Sequence, residues 1–142
     1  MSFALCFVFA NAQDATSYQK PSKEIADLLL APPTPTISVD GKAQYMLVME
    51  RSLYPTVEEL GQPEFKIAGM RINPNNFSLS RQNYIKQLSL KNLATGKIVS
   101  IAGLPSTLSA LSPSWNPSEN KIAFYNVTTT AVDVWVIDIK TS

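Results

Sequence analysis

Apolar positions along this chain change rhythm near residue 36. Before that point Ile25, Leu28 and Leu29 recur at i, i+3 and i+4, the spacing of one helix face. Ser22 stands where an N-cap belongs, with Pro21 just before it. Pro32 and Pro33 stop the pattern, because the residue before a proline is driven out of the α region. The spacing predicts a short helix over residues 22–30. An extended, stiff Ala31-Pro32-Pro33-Thr34-Pro35 connection follows it. Residues 13–21 are polar and expected to be loose.

From Thr36 onward the apolar runs have strand length. Tyr45-Met46-Leu47-Val48-Met49, residues 85–93, Ile98-Val99-Ser100-Ile101, Ile122-Ala123-Phe124 and Val134-Trp135-Val136-Ile137 are such runs. Asp40-Gly41 and Thr95-Gly96 mark turns between them, Asp-Gly being a pair that tolerates the positive φ of a tight hairpin. Residues 52–83 break the pattern with Pro55, Pro63 and Pro74 and a helical turn at Val57-Glu58-Glu59-Leu60. They read as a long insertion between strands, of a length that usually carries function or packs on a neighbour. Val134-Trp135-Val136-Ile137 is apolar at consecutive positions, so both faces of that strand are expected to be covered. The central strand of an ordinary sandwich would share this property.

The pieces recur. Asp40-Gly41-Lys42 with its following strand resembles Glu119-Asn120-Lys121 with Ile122-Ala123-Phe124, and Asn92-Leu93-Ala94-Thr95-Gly96 resembles Asp138-Ile139-Lys140-Thr141-Ser142. A unit of turn, strand, variable loop, strand and turn is the mark of a repeat architecture, and without the insertion its length is close to the roughly 40–50 residues of one propeller blade. The expected fold is all-β: an incomplete β-propeller of about two antiparallel blades over residues 36–142, preceded by the short helix and Pro-rich linker of residues 13–35.

Composition narrows the chemistry. An apolar share of 45% over 142 residues is that of a folded domain. The net charge of +1 comes from scattered acids and bases, which gives nucleic acid no electrostatic footing. There is no histidine, so a Ser-His-Asp or Cys-His nucleophile cannot be assembled from this chain, and the commonest zinc ligand is missing. The one cysteine, Cys6, has no base to activate it and no partner for an internal disulfide. It lies in the apolar run of residues 2–9, which Ala10-Asn11-Ala12 follows. That order matches a signal-peptide core and its A-x-A cleavage site, without the positive n-region. Residues 1–12 are therefore expected to be a truncated leader of an exported, periplasmic or extracellular protein. The run is too short for a membrane-spanning helix, which needs about 20 apolar residues.

Trp115-Asn116-Pro117-Ser118-Glu119-Asn120-Lys121-Ile122-Ala123-Phe124 resembles the W-S-P-D-G-K-x-I-A-F signature of bacterial propeller repeats. That signature is shared by translocation-type propellers and prolyl-oligopeptidase-like serine peptidases. Here Asn116 replaces Ser, Glu119-Asn120 replaces Asp-Gly, and Ser118 is extra. Asn at the second turn position still tolerates positive φ. More of the chain carries a second likeness. Glu24-Ile25-Ala26-Asp27, residues 31–35, Asp40-Gly41-Lys42, Glu50-Arg51, Glu58-Glu59-Leu60, Pro63-Glu64, residues 68–74 and Gly103-Leu104-Pro105 together resemble the start of the glutamyl-endopeptidase branch of that peptidase family.

The resemblance implies an N-terminal propeller followed by an α/β-hydrolase domain with a G-x-S-x-G elbow, then Asp and His. Neither that elbow nor any His occurs here, so no catalytic residue is assigned, and no cofactor-binding or metal-ligating one either. The expected function is the N-terminal propeller portion of an exported peptidase whose peptide substrate meets a catalytic domain absent from this chain. The alternative is a non-catalytic periplasmic propeller that holds a protein partner. Two open blades leave strand edges and apolar faces bare, so the isolated chain is expected to self-associate.

Candidate residues carry competing readings. Trp115 and Trp135 could stack on a ligand but fit blade-core aromatics better. Glu50, Arg51 and Arg71 could face a peptide but fit solvated or structural ion pairs better. Glu58, Glu59 and Glu64 lack the spacing and turn glycine of a cation loop. Asn76-Phe77-Ser78 and Asn126-Val127-Thr128 match the glycosylation pattern and are discounted as chance matches.

Overall fold

The computed structural model describes residues 19–140. The chain separates into two compact units, Met1–Ala31 and Pro32–Ser142. In the first, the sequence-predicted helix forms as α1 (Lys23–Leu29) and buries none of its residues. Ser22 is its N-cap, without a side-chain bond to the helix backbone. An i, i+4 ion pair, Lys23 with Asp27, runs along its surface. The leader-like residues 1–12, with Cys6, lie outside the described residues.

The second unit is all-β apart from one short helix. In chain order it holds β1 (Thr36–Val39), β2 (Tyr45–Arg51), α2 (Val57–Leu60), β3 (Phe65–Ile67), β4 (Met70–Ile72) and β5 (Ile85–Asn92). Then come β6 (Ile98–Ser100), β7 (Ala110–Trp115), β8 (Lys121–Val127) and β9 (Val132–Asp138). β3 and β4 pair as a separate hairpin, and the others are joined in the antiparallel order β1-β2-β5-β7-β8-β9, with β6 also on β5. The join between β5 and β7 is a single residue pair, Ile85 with Ala110. The sheet is therefore two antiparallel meanders, β1-β2-β5-β6 and β7-β8-β9, which share one core.

That core is built from one face of each meander. Leu47 and Met49 of β2 sit opposite Leu90 and Leu88 of β5, and all four are buried. Ile122 of β8 pairs with Ile137 of β9 and Phe124 with Trp135. Ile122, Phe124 and Ile137 are buried, and Trp115 and Trp135 pack against the cluster. The Trp115 indole Nε1–H also donates to Ser38 Oγ of β1 at 3.0 Å. Both tryptophans therefore serve the core.

The turns before β2 and before β8 are built alike, by the same hydrogen bonds. Asp40 Oδ1 accepts from the N–H groups of Gln44 and Tyr45, and Asn116 Oδ1 accepts from those of Asn120 and Lys121. The Ala43 N–H donates to Asp40 O as Glu119 N–H does to Asn116 O, and the Leu93 N–H donates to Gln44 O as Ile139 N–H does to Asn120 O. Asp40 is thus equivalent to Asn116, Ala43 to Glu119 and Tyr45 to Lys121. The sequence alignment of Asp40 with Glu119 is corrected by three residues. So is the glycine argument: the positive φ falls on Ala43 (52°) and Glu119 (56°), not on Gly41 or Asn120. The Asx side chain closes the turn, and the backbone reverses two residues before the strand.

The equivalence exposes the polarity of the stack. Leu47 corresponds to Ala123 and Val48 to Phe124, yet Leu47 is buried and Ala123 exposed, while Phe124 is buried. The two meanders therefore contribute opposite faces to their common core, as units stacked head to tail do. A sandwich related by a two-fold axis would bury equivalent positions.

One consequence corrects the expectation for β9. Its Ile137 is buried, but Val134 is 67% exposed and Val136 57%, so the strand has one open face. Val134 and Val136 of the continuous apolar run lie on a face that nothing in this unit covers. The two glycosylation-type asparagines are buried: Asn126 Oδ1 accepts from the Ser109 N–H, and Asn76 Nδ2 donates to Thr128 O. Neither amide is presented for modification.

Candidate functional site: a cleft under the inserted segment

Residues 52–83 are an ordered structure. Thr56 caps α2 through a capping box: its Oγ1 accepts from the Glu59 N–H at 3.1 Å, and its own N–H donates to Glu59 Oε2 at 2.9 Å. Such a box satisfies two helix-end donors at once. The β3–β4 hairpin turns at Ala68-Gly69, where both residues have positive φ, as a two-residue primed turn requires.

Glu64 then anchors the hairpin. Its two carboxylate oxygens take Arg71 Nη1 at 2.7 Å and Arg81 Nε at 2.8 Å. The hydrogen bonds from Arg81 and Arg71 hold this carboxyl below the ordinary range.

The segment is tied to both meanders. Lys86 of β5 donates to Glu59 Oε1 at 3.0 Å and to Ser109 Oγ at 3.1 Å, and its ammonium lies 5.3 Å from the Tyr84 ring centre. Burial raises the Glu59 carboxyl, but the Thr56 N–H and Lys86 outweigh it, and the net shift is downward. Burial also raises the Tyr84 phenol. On the other side Asn76 Nδ2 reaches Thr128 O, in the loop between β8 and β9, at 2.7 Å.

Between these ties lies a cleft of about 350 Å³, within the range of small-molecule sites. Glu58, Glu59, Arg81, Gln82, Tyr84 and Thr128 are among its lining residues. Ser80 Oγ is a buried lining atom with no hydrogen-bond partner. Arg81 on its wall holds a positive φ of 58°, a conformation a non-glycine residue keeps only when its surroundings impose it. Here Glu64 does so.

The residues singled out from sequence are dispersed. Arg51 donates to the Asn83 carbonyl, and Arg71 is paired with Glu64, so both are structural. Glu50 enters no described side-chain bond. Glu58, Glu59 and Glu64 form no common cation site: Glu59 is matched to Lys86 and Glu64 to two arginines. No cluster of three or more acids, Cys or His suited to a metal occurs among the described residues. The cleft can hold a small polar group by hydrogen bonds; Ser109 Oγ on its wall accepts from the Lys86 ammonium, which is itself paired with Glu59. Sequence reasoning missed the cleft. The one signal for it was Thr56-x-x-Glu59 before an apolar residue, which fixes a helix start within an otherwise Pro-broken stretch.

The chain is similar to two plant proteins. It is 29% identical over 135 residues to a protein of Arabidopsis thaliana named probable glutamyl endopeptidase, chloroplastic; the match covers 89% of this chain and 14% of that protein. It is 33% identical over 76 residues to a protein of the same name from Oryza sativa subsp. japonica, over 54% of this chain and 8% of that protein. The chain thus spans about one seventh of the length of the Arabidopsis relative and less of the rice one. These matches hint at a peptidase relationship. No protein-family model matches the sequence, and no solved structure does. No helix among the described residues is long and apolar enough to cross a membrane.

Proposed function

We propose that this chain is the N-terminal propeller portion of an exported serine peptidase that hydrolyses peptides, with the catalytic α/β-hydrolase domain outside it. The likeness to two probable glutamyl endopeptidases over as much as 89% of the chain carries this reading. The head-to-tail stacking of the meanders supports the propeller part of it, because such stacking continues by adding equivalent units until a ring closes. In this reading the meanders are the first two blades. The propeller admits peptides of limited size to a serine nucleophile, its base and an oxyanion hole on the hydrolase domain. Export rests on residues 1–12 alone; the plant relatives are named chloroplastic.

The test is to read the gene downstream of Ser142, express the whole product and treat it with a fluorophosphonate that labels activated serines. The expected result is a G-x-S-x-G followed by Asp and His, labelling that a Ser→Ala change at the elbow abolishes, and cleavage of short peptides. Further repeats without an elbow would leave the translocation-type binding module. A stop codon after Ser142 would end the peptidase reading for this gene product.

A further inference from the structure

Asp40-Gly41 and Asn116-Pro117 occupy the same two places in the equivalent turns. The chemistry open to the two pairs differs. When an Asp or Asn is followed by a residue with a free backbone N–H, that nitrogen can attack the side-chain carboxyl or amide carbon and close a succinimide ring. A following glycine favours the attack, because it has no Cβ to hold its nitrogen away. Pro117 has no N–H, so the ring cannot close after Asn116. Gly41 gives Asp40 no such protection.

In the first turn the fold supplies that protection by another route. The Gly41 N–H donates to Glu119 Oε1 of the second meander at 2.8 Å, and beside it Lys42 Nζ donates to Ser118 O at 3.2 Å. Asp40 is buried, and its Oδ1 accepts from the Gln44 and Tyr45 N–H groups at 2.7 Å and 3.0 Å. Its main chain is fixed as well: the Asp40 N–H donates to Tyr45 O, and Asp40 O accepts from the Ala43 N–H. Swinging the carboxyl carbon onto the Gly41 nitrogen breaks the Oδ1 bonds, and freeing that nitrogen breaks the bond to Glu119. The same packing forbids the simple remedy. A Cβ on residue 41 would lie 2.3 Å from Glu119 Oε1, so the position that Glu119 caps has to stay glycine.

We infer that Asp40-Gly41 is a latent isomerisation site, and that docking of the second meander keeps it closed through Glu119. When the turn opens, the Gly41 nitrogen bonds to Cγ of the protonated Asp40 carboxyl. One carboxyl oxygen leaves as water, taking the acid proton and the amide proton with it. Solvent water then opens the ring. Where it breaks the bond between the nitrogen and the Asp40 main-chain carbonyl carbon, the product is isoaspartate, and the chain runs on through the former side chain. Water is the only other reactant. The product adds a methylene to the main chain between β1 and β2 and removes the oxygen that accepts from Gln44 and Tyr45. Both changes act on the hairpin whose last pair is Val39 with Met46. The inference uses only the two turns and holds whether or not a peptidase domain follows in the parent protein.

The experiment is a timed warm incubation of the full chain at neutral pH. Isoaspartate is counted by labelling with an isoaspartyl methyltransferase and assigned to Asp40 by peptide mapping. Amide exchange at Phe124 of β8 reports whether the fold is kept. Wild type should isomerise far more slowly than the same chain unfolded in urea. Glu119→Ala should isomerise on the order of tenfold faster than wild type, since losing one bond to a charged acceptor raises the population of the open turn by about that factor. Glu119→Asp, whose carboxylate stops one methylene short, should follow Glu119→Ala, and it serves as the test if the alanine variant loses its fold; Asp also accepts the positive φ of this position well. Glu119→Gln, which keeps an accepting oxygen within reach, should stay close to wild type. A wild type as fast as the urea-unfolded chain would overturn the inference. So would folded Ala and Asp variants as slow as wild type, or a Gln variant as fast as the Ala one. An acceleration matched by an equal loss of Phe124 protection would assign the effect to global unfolding and overturn the role of Glu119.

Discussion

Asp40 and Asn116 occupy the same place in two equivalent turns, yet only one of them carries a charge. Asp40 is 4% exposed, and its Oδ2 has no hydrogen-bond partner. At the same place Asn116 presents an Nδ2 that donates to Asn120 Oδ1 at 2.8 Å. A buried carboxylate oxygen without a donor is costly, and an amide of the same shape is far less so. Asp40→Asn keeps the oxygen that accepts from the Gln44 and Tyr45 N–H groups and removes the unpartnered carboxylate oxygen. It should raise stability by about 1 kcal/mol in urea unfolding. Asp40→Ala removes both accepted bonds and should cost about 2 kcal/mol. Equal destabilisation by the two would mean that the charge itself is required. This contrast was beyond the sequence reading, which matched Asp40 to Glu119 by residue type. Only hydrogen bonds reveal that the Asx side chain, and not the glycine, defines the turn.

Strands and helix were legible as elements because their signals are local. The runs at 45–49 and 85–93 formed strands close to the predicted bounds, the run at 134–137 lies inside β9, and α1 formed between its proline brackets. What was not legible depends on partners far away in sequence. The inserted segment read as a broken loop because its order comes from Glu64 reaching Arg81 and Glu59 reaching Lys86. The covered second face expected for β9 is not found, since Val134 and Val136 are exposed: a run of apolar residue types gives composition, not which neighbours a strand has. Two predictions belong to this scale. Thr56→Ala removes one arm of the capping box and should cost about 1 kcal/mol locally, read as faster amide exchange across α2 with β2 and β8 unchanged. Glu59, Glu64 and Asp138 all titrate below the ordinary carboxylate range, Asp138 chiefly through Lys121. The unfolded chain therefore takes up protons first as pH falls. Their stabilisation is complete above the ordinary carboxylate range and is lost as pH drops through the lowered folded values. The melting temperature should decline over that acid window, and Glu64→Gln should shallow the decline. An unaltered slope in Glu64→Gln would show that the two arginines do not sense this carboxyl.

At the scale of the whole molecule, the question is whether two meanders joined by one residue pair behave as one cooperative body. Backbone bonding argues against it, since only Ile85 and Ala110 bridge them. Side-chain burial argues for it, since Leu47, Leu88 and Leu90 of one meander and Ile122, Phe124 and Ile137 of the other belong to a single cluster. The magnitudes decide. One bridging pair contributes on the order of 1 kcal/mol, whereas each large side chain moved from water into the core contributes about 1.5–3 kcal/mol. A separated meander would lose its share of the common core and keep only a sheet too thin to bury a face of its own. Leu47→Ala, in the first meander, should therefore cost about 3 kcal/mol and lower the protection of β8 amides such as that of Phe124 as much as that of β5 amides such as Leu88. Native-state hydrogen exchange measures both in one experiment. If β8 kept its wild-type protection while β5 lost its own, the meanders would be independent folding units, and the shared core would be a contact between them and not the source of their stability.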